Sequence, residues 1–120
     1  MKKDGEPGDA TDIVMAMGKQ LSEAQLDELV TQATVDAYSD EEQLDGLYTM
    51  IAEHLDVPFK TVLLGVEVTV KKIGLLPGSQ IVAICTRGRY RQAIGILDLP
   101  LPAPAPEGTE WIQAYRHWGP

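Results

Sequence analysis

A change of residue pattern at Pro58 constrains the fold of this 120-residue chain more than any other feature. Before Pro58 the apolar residues recur at helical spacing, whereas after it β-branched runs alternate with glycine and proline. The β-rich part covers only about 40 residues, which leaves no room for the helices that connect parallel strands. The pattern therefore predicts an α+β fold in which N-terminal helices pack on a small antiparallel SH3-like β-barrel.

Two capping signals mark the starts of the predicted helices, which together occupy about residues 21–56. Ser22 with Gln25 and Ser39 with Glu42 both have the spacing of a capping box. The second helix carries one apolar stripe, which we expect to face the core: Leu44, Leu47, Tyr48, Ile51 and Leu55.

The predicted β-barrel covers about residues 61–99, with strands at 61–64, 66–70, 80–86 and 90–97. Residues 100–106 have proline at every second position, which favours an extended segment. A short closing helix follows up to residue 120 and places large apolar side chains on one side, at Trp111, Ile112, Tyr115 and Trp118. Residues 1–12 are predicted to be a disordered tail, and residues 13–120 a single domain.

The charge of the chain is distributed unevenly between its two halves. Residues 1–60 contain 14 acids and 4 bases, whereas residues 61–120 contain 4 acids and 6 bases. Because phosphate binding requires a basic surface, the net charge of −8 argues against nucleic acid and favours cations or basic proteins as partners. An acidic surface that serves only solubility is the simpler alternative.

The single cysteine and the short apolar runs bear on the compartment. Cys85 is the only cysteine, so the sequence offers no intramolecular disulfide and no cysteine cluster for zinc. It lies in an apolar run. The sequence contains no apolar stretch long enough to cross a membrane, and we expect no membrane partner. Together these features predict a cytoplasmic protein. His54 and His117 have no second metal ligand at a suitable spacing and are predicted to be structural.

The densest group of acids lies where the two predicted helices are linked. It comprises Asp36, Asp40, Glu41, Glu42 and Asp45. Calcium takes six to eight oxygen ligands from carboxylates, backbone carbonyls and water, and a helix link supplies all three. The alternative is structural, because acids in the first turn of a helix complement its dipole and Glu42 already belongs to the predicted cap.

The EF-hand pattern does not account for these acids. Starting from Asp36, the sixth position is Glu41, where glycine is needed, and the twelfth is Leu47, where glutamate is needed. A calcium site here would therefore be of a non-EF-hand type.

Several segments in order along the chain resemble a bacterial calcium-binding family typified by the cyanobacterial protein CcbP. They are Val35-Asp36-Ala37-Tyr38-Ser39-Asp40-Glu41-Glu42-Gln43, Val57-Pro58-Phe59, Leu64-Gly65-Val66-Glu67-Val68, Arg87-Gly88-Arg89 and Ile96-Leu97-Asp98-Leu99-Pro100. The resemblance covers roughly residues 26–118. It implies helices with a small β-domain, and calcium binding, as buffer or sensor, through acidic residues. It carries a ligand role over to Asp36, with Asp40, Glu41 and Glu42 as the following acids.

A second function remains open beside calcium binding. In this alternative the SH3-like barrel docks an unidentified protein partner, using a basic stripe formed by Arg87, Arg89 and Arg91, which alternate along the chain. No G-x-S-x-G, phosphate-loop or H-E-x-x-H motif is found in the sequence, and Cys85 is predicted to be a buried apolar residue instead of a nucleophile. We therefore expect the protein not to be an enzyme.

Overall fold

The computed structural model describes residues 21–77 and 80–119, so the predicted tail at residues 1–12 lies outside the described part. In chain order the described elements are α1 (Glu23–Ala33), α2 (Asp40–His54), β1 (Phe59–Leu63), β2 (Val66–Leu76), β3 (Gln80–Arg87), β4 (Tyr90–Gly95), a 3-10 turn (Ile96–Asp98) and α3 (Thr109–Trp118). Helices and an antiparallel sheet are therefore both present, and the predicted α+β class is confirmed.

The sheet is a meander in which each described strand pairs with the next one along the chain. Its order is β1-β2-β3-β4, and all three pairings are antiparallel. Leu64 and Gly65 both have positive φ, 51° and 77°, and form the two-residue turn between β1 and β2. Within the described residues the sheet is open, with β1 and β4 at its edges, and it does not close into a barrel.

One apolar core joins the helices to one face of the sheet. From α2, Leu47 and Ile51 are fully buried, and they belong to the same cluster as Val70 on β2 and Ala83 on β3. Leu55 is also buried, so the predicted core stripe of α2 is confirmed at these positions. Burying an aliphatic side chain of this size stabilises a fold by about 1.5–3 kcal/mol. Because α2 also contacts α1, α3 and β2, it is the central helix of the described part.

The closing helix α3 packs against both α1 and α2. Trp111 and Ile112 are buried, and Tyr115 and Trp118 are partly buried against the same core, as the apolar side of this helix predicted. A 2.8 Å hydrogen bond from Trp118 Nε1 to Gln43 Oε1 fixes the end of α3 beside the start of α2. The two residues joined by this hydrogen bond lie 75 positions apart in sequence.

Two glycines allow the helices to approach closely. A Cβ at Gly46 in α2 would overlap the carbonyl oxygen of Ala33 at the end of α1. Gly108, just before α3, has a φ of 91°, and a Cβ there would overlap the carbonyl oxygen of His54. The helical layer therefore depends on the absence of a side chain at both positions.

The proline-rich segment passes beside the first strand of the sheet. Leu99 is buried, and the Thr61 hydroxyl of β1 donates a 2.6 Å hydrogen bond to the carbonyl oxygen of Pro100. No helix or strand is assigned between residues 99 and 106, and the chain bends at Ala103 and Pro104, so the predicted extended segment is interrupted there. This contact places the chain that leads to α3 next to β1.

Candidate functional site

The link between α1 and α2 is a tight turn that exposes its acidic residue. The backbone N–H of Ala37 donates a 3.0 Å hydrogen bond to the carbonyl oxygen of Thr34, and Asp36 between them has a φ of 63°. Aspartate is one of the few residues besides glycine that tolerate this left-handed conformation. The side chain of Asp36 is exposed, as predicted.

The other predicted ligands lie in the first turn of α2. Asp40, Glu41 and Glu42 are all exposed. The carboxylates of Asp36, Asp40 and Glu41 form no hydrogen bond or ion pair with any residue in the described part of the chain. These three acids are therefore available to an external cation.

Glu42 differs from the other three because its carboxylate is engaged. The Ser39 hydroxyl accepts a 3.1 Å hydrogen bond from the backbone N–H of Glu42, which is the predicted N-cap. The Glu42 carboxylate, however, accepts from the backbone N–H of Tyr38 at 2.6 Å and not from that of Ser39. The predicted reciprocal capping box is therefore wrong in its second half. The Glu42 side chain therefore bonds the residue before the cap, in the part of the link that follows the positive φ at Asp36.

The predicted ligands do not converge on a common point. Across residues 21–77 and 80–119, no group of three or more His, Cys, Asp or Glu side chains is arranged to hold a metal ion. Consecutive residues of a helix point about 100° apart, so Asp40 and Glu41 diverge although they are neighbours in sequence. Acids that are dense in sequence are thus spread over the surface of the link.

Asp40 and Glu41 also line a surface groove of about 440 Å³ between the start of α2 and the end of α3. The rings of Tyr115 and Trp118, both lining residues, stack with their centroids 6.3 Å apart. Arg116 lies at the same groove and donates a 3.1 Å hydrogen bond to the carbonyl oxygen of Leu97. The sequence did not predict that these aromatic residues lie beside the acids, because nothing local to either helix indicates how α3 docks on α2.

The two histidines and the cysteine have structural surroundings. The ring of His54 stacks on that of Trp111 at 5.6 Å, and Nε2 of His117 lies 2.7 Å from Oδ1 of Asp27. Cys85 is buried, and burial raises the pKa of its thiol because the thiolate would lose its hydration. These contacts join helices or fill the core, in line with the structural roles predicted for them.

The predicted arginine stripe is not a single stripe. Arg87 pairs with Tyr90 and Thr86 pairs with Arg91 in the β3–β4 hairpin. Because directly paired residues share a face and neighbours in a strand alternate, Arg87 and Arg91 lie on opposite faces of the sheet. The strands predicted at 80–86 and 90–97 already place a break here, and Gly88 and Arg89 form the turn between them, so the alternation of one strand does not extend from Arg87 to Arg91.

Comparisons of the chain with known protein families, with curated proteins and with solved structures found no match. In the described residues, none of the helices combines the length and the apolar character that crossing a membrane requires.

Proposed function

We propose that the protein binds Ca²⁺ at the link between α1 and α2, with Asp36, Asp40 and Glu41 as the ligands. The observation that carries the proposal is that these three carboxylates are exposed and have no partner in the described part of the chain. Glu42, which sequence reasoning included among the ligands, instead holds the link through the N–H of Tyr38.

The electrostatic surroundings of the link support a cation. Residues 21–56 contain no lysine or arginine, and Arg116, which lines the groove with Asp40 and Glu41, forms no ion pair with either of them. The link follows the C-terminus of α1, where the helix dipole favours positive charge. The dipole of α2 acts in the opposite direction at Asp40 and Glu41, which makes Asp36 the acid best placed for a cation.

The spread of the acids limits the strength of the site. Exposed side chains rotate on the picosecond to nanosecond timescale, so the carboxylates can turn towards a bound ion. Water and the backbone carbonyls of the link would supply the remaining ligands that Ca²⁺ requires. Mg²⁺ demands a stricter octahedral geometry and gives up its water reluctantly, so this site should prefer Ca²⁺.

In this proposal the protein is a non-catalytic buffer or sensor, as the resemblance to the bacterial calcium-binding family implies. The sheet, with the SH3-like arrangement proposed for it, acts as the scaffold on which the helices are held. A cytoplasmic location and a bacterial source belong to the same proposal.

Calorimetric titration with Ca²⁺, after removal of metal by EDTA and with Mg²⁺ as the comparison ion, tests this function. Exothermic or endothermic saturation by Ca²⁺ that Asp36→Asn weakens, and that Glu53→Gln leaves unchanged, is the expected result. Glu53 is a matched control because it is an exposed acid near the other end of α2. Absence of saturation up to about 10 mM Ca²⁺, which corresponds to a binding free energy weaker than about −3 kcal/mol, would overturn the proposal.

Protein docking remains the second proposed function, and the hairpin tips of the sheet favour it. Leu64 is 96% exposed and Tyr90 is 76% exposed, although both are large apolar residues at turns. In a four-strand meander both of these turns lie at the same end of the sheet, and an apolar patch shared by two turns, unlike a single exposed residue, is typical of an interaction surface. Because Arg87 and Arg91 lie on opposite faces, the docking surface cannot be the arginine stripe expected from the sequence.

A further inference from the structure

The charges of the described residues are segregated between the helices and the sheet. Residues 21–56 carry ten acids and no lysine or arginine, and these acids are Glu23, Asp27, Glu28, Asp36, Asp40, Glu41, Glu42, Asp45, Glu53 and Asp56. Residues 59–95 carry six bases, Lys60, Lys71, Lys72, Arg87, Arg89 and Arg91, against the single acid Glu67. The helical segment is therefore strongly negative and the sheet segment positive.

A row of paired residues crosses all four strands of the sheet. Lys60 on β1 pairs with Thr69 on β2, Thr69 pairs with Thr86 on β3, and Thr86 pairs with Arg91 on β4. Directly paired residues share a face, so these four side chains lie on the same face of the sheet. Lys72 belongs to this face too, because it pairs with Ile84, two residues from Thr86 along β3.

This face is turned away from the helices. The neighbouring pair, Val70 with Cys85, lies on the opposite face and is buried in the core that the helices cover. Lys60, Lys72 and Arg91 are exposed, and none of them forms an ion pair with a described residue. The five residues Lys60, Thr69, Lys72, Thr86 and Arg91 are called here the basic sheet face. Glu67, the only acid of the four described strands, lies on the same side because it pairs with Val62, so the face carries three bases against one acid.

We propose that the basic sheet face docks the acidic helical surface of a second copy of this chain. The acidic helical surface is defined by Asp36, Asp40, Glu41 and Asp45, which are exposed and are spread over the link and the first turns of α2. Opposite charges on the two surfaces attract two copies and orient them head to tail. The hydroxyl, amine and guanidinium donors of the basic sheet face fit the carboxylate acceptors on the acidic helical surface of the partner.

The shape of the basic sheet face favours a protein surface over other anions. Its row spans three gaps between strands of about 4.8 Å each, or about 14 Å, which is too wide for one small anion to bridge. The row contains no aromatic side chain on which a nucleic-acid base could stack. The net charge of −8 also repels a long polyanion, whereas a second copy can orient its charges locally.

The geometry of this docking determines how far it extends. Two different surfaces of each copy take part, so the contact is heterologous and a pair of copies leaves one surface of each kind open. Assembly therefore extends beyond one contact, into a closed ring or an open chain of copies according to the rotation between neighbours. The docking proposal does not depend on calcium binding. Its test is carried out in EDTA, so that the docking proposal and the calcium proposal can fail separately.

Two complementary variants isolate the contact. The sheet variant carries Lys60→Glu, Lys72→Glu and Arg91→Glu, and the helix variant carries Asp36→Asn, Asp40→Asn, Glu41→Gln and Asp45→Asn. Circular dichroism first establishes that both are folded, which is expected because all seven residues are exposed. Sedimentation velocity is then measured at about 0.02 M and at about 0.5 M NaCl, where screening acts over about 20 Å and 4 Å respectively.

The expected result is a wild-type mass that rises with concentration at low salt and returns to one chain at high salt. Each variant alone stays at the mass of one chain. An equimolar mixture forms a complex of two chains and no larger species, because the helix variant offers an intact sheet face and the sheet variant an intact helical surface. A wild type that remains a single chain at low salt, or a mixture without the two-chain complex, would overturn the proposal. Binding of a DNA oligomer or of anionic vesicles by the helix variant, in place of the mixed complex, would also overturn it.

Discussion

The backbone N–H of Tyr38 lies 2.6 Å from Oε1 of Glu42, and this hydrogen bond ties the end of the α1–α2 link to the first turn of α2. Tyr38 is 87% exposed, so its side chain gives the link no apolar anchor. The conformation of the link therefore depends on two caps, the Ser39 hydroxyl and the Glu42 carboxylate. This division of roles separates the acid that holds the link from the acids that are open to an ion.

The two roles predict different effects of Asp36→Asn and Glu42→Gln on calcium binding. Asparagine tolerates the φ of 63° at position 36 but removes a full negative charge, so the Kd for Ca²⁺ should rise at least tenfold, about 1.4 kcal/mol. Glutamine at position 42 keeps an oxygen that accepts from Tyr38, so the Kd should change less. Calorimetry on both variants measures this. Normal binding by Asp36→Asn together with loss of binding by Glu42→Gln would reverse the assignment of roles.

Glu42→Ala should lower the stability of the calcium-free protein, whereas Glu42→Gln should preserve most of it. Alanine removes the acceptor for the N–H of Tyr38 and an acid that favours the helix N-terminus, at a cost of about 1 kcal/mol. Urea denaturation in EDTA provides the measurement, and Glu41→Ala is the matched control because the Glu41 carboxylate has no described partner. Equal losses in the two alanine variants would show that only the helix dipole matters at position 42.

The sequence could predict the elements of this fold because their signals are local. The Ser22 and Ser39 caps and the stripe through Leu47 and Ile51 lie within single helices, and each was found where expected. Whether the sheet closes into a barrel, and how Trp118 docks on Gln43, depend on contacts between distant residues, which no local pattern encodes. The arginine stripe failed because the alternation of one strand does not extend across the turn at Gly88 and Arg89, and the pairing of the hairpin places Arg87 and Arg91 on opposite faces.

The exposure of the candidate ligands was predictable from the sequence, but their geometry was not. The exposure of Asp36 and Asp40 follows from their place at a helix link, which capping signals indicate. Whether their carboxylates converge depends on the φ of 63° at Asp36 and on the rotation of each side chain, and neither is encoded in residue spacing. Density of acids in sequence therefore overstated how closely they meet in space.

Gly46→Ala should destabilise the protein although alanine is the better helix former. A Cβ at position 46 would overlap the carbonyl oxygen of Ala33, so α1 must move away from α2, at a cost of about 2 kcal/mol. At Ala52, an exposed position of the same helix, the reverse change Ala52→Gly should cost about 1 kcal/mol through helix propensity alone. Both variants should therefore be less stable than the wild type, although one change adds a methyl group and the other removes one. Thermal or urea denaturation of both variants measures this. A stabilised Gly46→Ala variant would mean that the two helices are not in close contact.

The ionisation of Cys85 should make the stability of the protein depend on pH in the alkaline range. Burial raises the pKa of this thiol, so the unfolded chain releases its proton at a lower pH than the folded protein does. The contribution of the buried neutral thiol is therefore fully present below the unfolded pKa, and it is lost as the pH rises towards the folded pKa.

The comparison that isolates this effect is wild type against Cys85→Ala, by urea denaturation under reducing conditions at several pH values. Alanine leaves a cavity whose cost does not change with pH, so the wild type should be the more stable protein by a constant amount up to about pH 8. Between about pH 8 and pH 10 this difference should shrink steadily, because only the wild-type unfolded state gains a thiolate. A thiol reagent should correspondingly react slowly with the native protein and rapidly in urea, since Cys85 is only 3% exposed. A stability difference that stays constant to pH 10, together with rapid native-state labelling, would contradict the burial of Cys85 in the core.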